Sequence, residues 1–345
     1  MRHRMLTKMD TTDPSPLPHG GDIADAEARF GVPAAGWLDL STGINPDSYP
    51  GLDVMAETWQ RLPQSGAMNG LLAAARRYYR VPDGVALVAA AGSQAVLQSL
   101  PGIAAAGRIA IVGPTYAEHE RVWRERGYEI RNVASIAASG AADIVVVVNP
   151  NNPDGRTARP TELLALAAAI TAWRGLLIVD EAFADVAPES SVLPHLSEAH
   201  RVVVLRSFGK FFGLAGLRLG FAAGPPELIE PLARRLGPWA VSGPAQEIGA
   251  RALTDDGWIA GARKRLAERR AALDAVLAAA NLHVTGGTDL FRLVDDARAP
   301  EICRRLGASG ILIRNFDHNP NWLRFGVPGR AGDLKRLEAA LAGLR

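Results

Sequence analysis

The sequence predicts an α/β protein in which a mostly parallel sheet flanked by helices is followed by a smaller α+β unit. Between residues 85 and 220, short apolar runs alternate with helical segments. This alternation is typical of strands that are joined by helical crossovers packing on both faces of a sheet. From about residue 283 the pattern changes to short strands and helices in an α+β arrangement. The 345 residues, of which 48% are hydrophobic, are sufficient for two such units.

Composition excludes several classes of protein. The 38 basic and 36 acidic residues give a formal net charge of +2, and the arginines are scattered, which argues against nucleic-acid binding. The single cysteine, Cys303, excludes an internal disulfide and a multi-cysteine metal site, and we expect no metal. No run approaches the ~18 apolar residues of a membrane span. Residues 1–18 lack an apolar signal core, so we expect a cytoplasmic protein without membrane contact.

The N-terminal third contains turns that can approach an anion. In His19-Gly20-Gly21-Asp22 the glycines allow close approach of backbone N–H groups, although the tetrapeptide alone favours a plain turn. A short strand over residues 38–41 precedes a polar loop in which Asn45 can present an amide to a ligand. A β-like run over 85–91 ends at Gly92-Ser93-Gln94, where a helix begins. Free N–H groups at such a turn form a generic anion site.

Three further apolar runs end near residues that suit a planar ligand. The strands predicted over 108–112, 144–148 and 176–179 lead into Tyr116, Asn152 and Asp180. An aromatic side chain just past a strand can stack on a planar ring, and an amide can donate to a phenolate oxygen. A carboxylate at the carboxyl end of a buried strand lies where α/β sheets bind ligands. These residues are therefore candidates for one shared site.

A strand predicted over 202–205 leads into the segment around Lys210, which is rich in glycine and apolar residues. Ser207 precedes the lysine by three residues, and Arg218 follows it by eight. Desolvation lowers the pKa of a lysine and makes its neutral amine available, which is what a Schiff-base lysine requires. The segment is not a phosphate-binding P-loop, because Phe211 stands where that motif has Ser or Thr.

The remaining elements complete a predicted division into three parts. Helices are predicted over 67–80, 160–174, 226–236 and 244–281, the last broken near 255–257. Strands at 290–294, 311–314 and 322–327 and helices at 299–307 and 331–344 follow. We expect an N-terminal arm over 1–47 that packs with the small domain. The large domain is expected over 48–245, and the spacer helix and small domain over 246–345.

The order of these motifs resembles that of the fold-type I pyridoxal-phosphate enzymes, and of their histidinol-phosphate aminotransferase branch in particular. The resemblance rests on S-x-x-K followed by G-L-x-G-x-R-x-G, preceded by N-N-P-x-G and D-E-A-F. It implies that Lys210, Asp180 and Tyr116 are catalytic, with Lys210 bonded to the cofactor, Asp180 paired with its ring nitrogen and Tyr116 stacked on the ring. It further implies that the cofactor contacts are Gly92, Ser93, Gln94, Tyr116, Asn152, Asp180, Ser207, Lys210 and Arg218.

The N-terminal segments are similar to those of the threonine-phosphate decarboxylases of cobalamin biosynthesis. They read H-G-G-D at residues 19–22 and D-L-S-T-G-I-N-P at residues 39–46. This similarity implies decarboxylation of L-threonine O-3-phosphate. Arg324 matches the arginine that binds an amino-acid carboxylate in the wider family, and Arg314 matches one that contacts the substrate phosphate in the aminotransferase branch, with a strand-end salt bridge as the alternative for Arg314. The implied substrate contacts are His19, Gly20, Gly21, Asn45, Asn152, Arg314 and Arg324. The sequence departs from the family at one position. In this family a tyrosine reaches the cofactor phosphate of the neighbouring subunit. The matching residue here is Leu62, which cannot donate a hydrogen bond to that phosphate.

Two other functions fit the same residues. A histidinol-phosphate-type aminotransferase would use the same cofactor and the same phosphate contact, and the geometry at the substrate carbon decides between the two reactions. A non-catalytic partner in corrin assembly is a third reading, although the complete set of cofactor residues argues against it. Because fold-type I enzymes are usually homodimers with sites at the subunit interface, the resemblance also implies a homodimer.

Overall fold

The computed structural model describes residues 20–105 and 107–342. The strands, in chain order, are β1 (Leu38–Leu40), β2 (Ala86–Ala90), β3 (Arg108–Val112), β4 (Glu129–Val133), β5 (Ile144–Val148), β6 (Leu176–Asp180), β7 (Val202–Ser207), β8 (Gly220–Gly224), β9 (Val284–Thr288), β10 (Phe291–Asp295), β11 (Ile311–Phe316) and β12 (Asn319–Gly326). The helices are α1 (Ile23–Phe30), α2 (Ala56–Gln60), α3 (Ser65–Tyr79), α4 (Ser93–Ser99), α5 (Ala117–Arg124), α6 (Pro160–Ala172), α7 (Phe208–Phe211), α8 (Pro226–Leu236), α9 (Gly243–Thr254), α10 (Asp256–Ala279), α11 (Ala299–Ala308) and α12 (Ala331–Ala342).

The larger sheet is mostly parallel, as predicted. Its seven strands within the described residues lie in the order β2-β8-β7-β6-β5-β3-β4. Strands β3 to β7 run parallel to one another, and β8 runs antiparallel to β7 and β2. Every residue of β5 and β6 is buried, because apolar clusters cover both faces of the sheet. The parallel strands therefore bring their carboxyl ends to one edge.

The smaller sheet combines the N-terminal segment with the C-terminal part of the chain. Its order is β1-β11-β12-β10-β9, with β1 parallel to β11 and the other pairs antiparallel. Helices α10, α11 and α12 contribute to its apolar core. Because β1 is an edge strand of this sheet, the loop that follows it runs from the small unit toward the large one.

The long helix α10 contributes to both cores. Leu266, in its first half, belongs to the core of the large sheet, and Leu273, in its second half, belongs to the core of the small sheet. Helix α9 packs on α3 and contributes Ile248 and Leu253 to the large core. We therefore propose that the two units divide within α10 rather than after residue 245.

Three strands were not predicted from the sequence. Strand β4 is mostly exposed and polar, so it lacks an apolar pattern. Strand β8 reads G-F-A-A-G and is fully buried, while β9 contains two glycines, so both have low intrinsic strand preference. Tertiary packing rather than local propensity forms these strands.

Neither membrane-spanning helices nor metal clusters occur among the residues that the structure describes. None of the helices there is both long and apolar enough to cross a bilayer. No group of three or more His, Cys, Asp or Glu side chains is arranged to hold a metal ion in that part of the chain.

Candidate active site

Lys210 lies in the short helix α7, at the carboxyl edge of the large sheet. It is half-buried, and its Nζ lies 5.8 Å from the centre of the Phe183 ring. Burial lowers the pKa of the amine to about 8; Arg324 and Arg218 act in the same direction and Asp180 opposes them. A pKa in this range keeps part of the amine neutral near neutral pH, in agreement with the nucleophilic amine inferred from the sequence.

We expect the Lys210 amine of the cofactor-free protein to react with an acylating reagent along a pH curve whose midpoint is near 8. The neutral amine is the nucleophile, so reactivity rises as pH rises through the folded-state pKa of about 8. Mass spectrometry of the Lys210 peptide across a pH series measures this midpoint, with the exposed Lys264 as an internal reference. A Lys210 midpoint at the ordinary value of 10.5 would contradict the burial argument.

The same shift has a consequence for folding. Between pH 8 and 10.5 the unfolded chain holds a proton on Lys210 that the folded chain does not. The contribution of this group to stability therefore increases with pH across that window. Below pH 8 both states are protonated, and the folded protein carries the full penalty of a buried ammonium.

Asp180 ends β6 and is oriented by a buried histidine. Its Oδ2 lies 2.9 Å from Nε2 of His119, and its Oδ1 accepts a hydrogen bond from the Ala182 backbone N–H at 3.0 Å. His119 is fully buried on α5, with its ring edge-to-face against Tyr116 at 6.1 Å. Sequence analysis missed His119, which lies in the first turn of α5, three residues after Tyr116.

The residues predicted to bind the cofactor phosphate converge at the start of α4. Gly92 has φ 87°, and a Cβ built there would lie 2.8 Å from Nη2 of Arg218. Ser207 is paired with Gly220 across β7 and β8, and Gly220 lies against the backbone N–H of Ser93. Arg218 also adopts a left-handed backbone conformation, which is uncommon for residues other than glycine. A guanidinium, backbone N–H groups and hydroxyls thus lie close together, which is the set of groups that binds a phosphate.

Tyr116 and Gln94 belong to a polar network beside this cluster. The Tyr116 hydroxyl lies 3.4 Å from Oε1 of Gln94, whose Nε2 donates to buried Glu118 at 2.7 Å. Burial raises the pKa of Tyr116 to about 12, with the charges of Glu118 and Asp180 adding to the increase. Tyr116 therefore stays protonated at neutral pH. Asp180 and Arg218 also act on its pKa, so its ring lies near both.

Arg324 on β12 connects the small unit to Asn152, in the loop that follows β5. Its Nη1 donates to Oδ1 of Asn152 at 2.5 Å, and its Nη2 donates to the backbone oxygen of Ser41 at 2.8 Å. Nε is buried and has no hydrogen-bond partner among the described residues. Burial, and then the charge of Arg314, lower the pKa of Arg324. The charge of Asp39 opposes this decrease, but no carboxylate in the part of the chain that the structure describes forms an ion pair with the guanidinium.

Arg314 lies directly opposite Arg324 in the β11–β12 pair. Directly opposite residues of an antiparallel pair point to the same face, so two cations share one side of the small sheet. Arg314 is half-buried, with its guanidinium carbon 5.4 Å from the centre of the Phe316 ring. Desolvation by burial lowers its pKa. Like charges in this arrangement destabilise a sheet unless an anion joins them.

The N-terminal residues that are predicted to contact substrate make contacts within the protein, as far as the structure describes them. His19 lies outside the described residues. Gly20 and Gly21 pack against Ser41, whose Oγ accepts from the Gly21 backbone N–H at 2.7 Å. Asn45 is 2% exposed, and its amide already donates to the backbone oxygen of Phe211 at 2.8 Å. Direct contacts of these residues with substrate stay predictions, whereas their contacts within the protein are evident.

This fold and this lysine-centred site define a class of protein. Residues 56–342 match the family model for aminotransferase class I and II, and the chain belongs to that family. Enzymes of this family use pyridoxal 5′-phosphate.

Within this family, the chain is similar in sequence to threonine-phosphate decarboxylases and in fold to a solved aminotransferase. The chain is 47% identical over 331 residues to a threonine-phosphate decarboxylase of Sinorhizobium sp, covering 95% of this chain and 98% of the relative. It is 42% identical to the Pseudomonas aeruginosa protein of the same name, covering 95% and 98%. A solved histidinol-phosphate aminotransferase of Sinorhizobium meliloti, in complex with pyridoxal-5′-phosphate, shares the fold with a TM-score of 0.79 at 20% identity, covering 98% of each chain.

The residues present fit pyridoxal phosphate. A Cβ at Gly92 would collide with the Arg218 guanidinium, so the glycine lets this cation lie beside the backbone at the start of α4, as a phosphate site requires. Lys210 is a desolvated amine suited to bond with the cofactor aldehyde, and Asp180 is a carboxylate suited to a protonated ring nitrogen. These four residues lie at the carboxyl ends of adjacent strands or in the loops beyond them.

Proposed function

We propose that the protein decarboxylates L-threonine O-3-phosphate to (R)-1-aminopropan-2-yl phosphate and carbon dioxide, for the aminopropanol arm of cobalamin. Two relatives above 40% identity that match nearly the whole chain are named threonine-phosphate decarboxylase. The substrate carries a carboxylate and a phosphate, and the cofactor carries another phosphate. Arg324, Arg314 and Arg218 provide one cation for each of these three anions.

The observation that carries the proposal is the pair of facing arginines on β11 and β12. Arg314 and Arg324 are cross-strand partners, and burial lowers the pKa of both. No carboxylate within the described ranges forms an ion pair with either one. A substrate with two anionic groups would supply both counter-charges at once. An amino acid without a phosphate would leave the half-buried Arg314 without an anion, so this pair favours a phosphorylated amino acid.

Different residues of the chain have different roles in the proposed decarboxylation. Pyridoxal phosphate, when bound, accepts the electron pair that departing carbon dioxide leaves on the substrate carbon. Asp180, oriented by His119, would hold the proton on the cofactor's ring nitrogen. Arg324 and Arg314 would fix the two anionic ends of the substrate and so orient the bonds to Cα. Lys210 would return a proton to Cα.

Product analysis distinguishes this reaction from amino transfer. Purified enzyme loaded with pyridoxal phosphate is incubated with L-threonine O-3-phosphate in deuterated water, and the product is examined by NMR. We expect an amine with one deuterium on the carbon that carried the carboxylate. A parallel reaction contains histidinol phosphate and 2-oxoglutarate. Glutamate formed there, with no amine product in the first reaction, would assign the protein to the aminotransferase branch.

We also propose that the protein acts as a homodimer; its cytoplasmic location stays a prediction. Large apolar side chains are exposed on and near α2, where Met55, Trp59 and Leu62 are 68%, 69% and 59% exposed. Exposed apolar side chains in such numbers mark contact surfaces in soluble proteins. Light scattering is expected to give twice the chain mass of 36.6 kDa. A fully active particle with the mass of a single chain would contradict the dimer.

A further inference from the structure

The helix that carries Lys210 is capped by a distant segment of the chain. Helix α7 is a single turn, so the carbonyl groups at its C-terminal end have no partners within the helix. Four consecutive carbonyls, those of residues 210–213, instead accept hydrogen bonds from residues 45–49, which we call the strap. The donors are the Asn45 N–H to Lys210 at 2.8 Å, the Asn45 amide to Phe211 at 2.8 Å, the Tyr49 N–H to Phe212 at 2.9 Å and the Ser48 hydroxyl to Gly213 at 2.8 Å.

Asn45 makes the most contacts in this cap. It contributes two of the four donors, and its own Oδ1 accepts from the Asp47 backbone N–H at 2.9 Å. Gly213 has φ 66°, and a Cβ there would lie 2.7 Å from the Asn45 backbone oxygen. The strap and the lysine segment are therefore packed backbone against backbone. Movement of one requires movement of the other.

The strap is itself anchored on both sides. The Asp47 carboxylate forms ion pairs with Arg269 at 2.8 Å and Arg265 at 3.2 Å, both on α10. Tyr49 is buried, with its ring edge-to-face against Trp258 at 5.3 Å. On its N-terminal side the chain continues to Ser41, whose backbone oxygen accepts from Arg324. The strap thus links the lysine segment to the spacer helix and to the arginine that faces the substrate.

We propose that Asn45 is a positioning residue for Lys210, which fixes the backbone that carries the amine and does not bind substrate. This inference rests on the proposed role of Lys210 as the lysine that bonds to the cofactor. In that bond the neutral amine adds to the aldehyde carbon, and one water leaves as the C=N bond forms. Holding the amine in place raises its effective concentration at that carbon. Loss of the Asn45 amide lowers that concentration and leaves the Phe211 carbonyl buried without its partner.

The test compares Asn45→Ala with Gln246→Ala, measured first without substrate. Gln246 is a matched control, because it is a buried amide that donates to the Val241 backbone oxygen at 2.9 Å and has no hydrogen bond to the strap among the described residues. Cofactor affinity is measured by absorbance titration of the apoprotein, and thermal unfolding of both variants is recorded. We expect Asn45→Ala to weaken cofactor binding about tenfold, in line with the loss of one buried hydrogen bond. Gln246→Ala should leave cofactor affinity within about twofold of the parent protein.

A second readout separates positioning from a general structural role. The pH midpoint for acylation of Lys210 depends on burial and on Arg324, Asp180 and Arg218. Because a loosened strap admits water, Asn45→Ala should raise this midpoint toward 10.5, and Gln246→Ala should not. Ser48→Ala, which removes one donor near the surface, should shift the midpoint in the same direction by less. It serves as the test variant if Asn45→Ala does not fold.

Two outcomes would overturn the proposal. One is an unchanged cofactor affinity and midpoint in Asn45→Ala with a raised KM for substrate, which would make Asn45 a substrate contact. The other is an equal loss of affinity in Asn45→Ala and Gln246→Ala, which would make the effect general. Failure of the Lys210 assignment would look different, because the Lys210→Ala variant would then retain the cofactor absorbance of the parent.

Discussion

Lys210→Ala is expected to abolish both the visible absorbance of the bound cofactor and the release of carbon dioxide. The amine is the covalent attachment point, and it is also the group placed to return a proton to the substrate carbon. Removal of a covalent catalytic group typically lowers kcat by about 10⁴–10⁶-fold. Absorbance spectra and carbon dioxide assays of the purified variant measure the two effects independently.

Lys264→Ala is the matched control for that experiment. Lys264 is exposed on α10, at 4.0 Å from Glu268, and its removal should change neither readout. A Lys210→Ala protein that keeps the parent spectrum after dialysis and cofactor reloading would refute the assignment of the lysine. A variant that loses the spectrum but keeps full activity would refute its role in the reaction.

Arg324→Ala is expected to produce the second-largest loss. Its guanidinium is buried and without a carboxylate partner in the described part of the chain, so a substrate carboxylate there forms a desolvated ion pair. Loss of one partner of such a pair costs about 2–5 kcal/mol, which corresponds to about 30-fold to several thousand-fold in kcat/KM. Arg324→Lys keeps the charge but loses the bidentate geometry, so its kcat/KM should lie between those of Arg324→Ala and the parent protein. Steady-state kinetics with L-threonine O-3-phosphate measures both variants.

Two controls make the Arg324 result specific. Arg305→Ala removes a half-buried arginine on α11, paired with Glu301 at 3.9 Å, and should leave kcat/KM unchanged. Cofactor absorbance must persist in Arg324→Ala, because Arg324 is assigned to substrate and not to the cofactor. If kcat/KM falls less than about threefold with the cofactor bound, the carboxylate is held elsewhere.

The sequence allowed candidate site residues to be predicted where a chemically suitable side chain follows a predicted parallel strand. Asp180, Asn152 and Lys210 each follow an apolar run, and parallel strands bring their carboxyl ends to one edge of the sheet. The register of β11 against β12, which makes Arg314 and Arg324 neighbours, depends on long-range pairing that local pattern does not encode. His119 was missed for a similar reason, because its partner Asp180 lies 61 residues away.

The role of Asn45 shows a further limit of sequence analysis. A polar loop with an amide suggested a ligand contact, but the nearest acceptor for that amide is a backbone carbonyl 166 residues along the chain. The need for that donor arises only because α7 is too short to satisfy its own carbonyls. Strand β8 is comparable, since its glycines and alanines reflect close packing between β7 and β2 rather than a local strand preference.

The most direct test of the proposed function is the release of carbon dioxide from L-threonine O-3-phosphate by the purified enzyme loaded with pyridoxal phosphate. The facing arginines of the small sheet and the desolvated Lys210 predict release that requires the substrate phosphate and disappears in Lys210→Ala. Unphosphorylated L-threonine should react far more slowly, because Arg314 would remain without an anion. No release of carbon dioxide from the phosphorylated substrate, with the cofactor spectroscopically bound, would contradict the assignment of the protein as a decarboxylase.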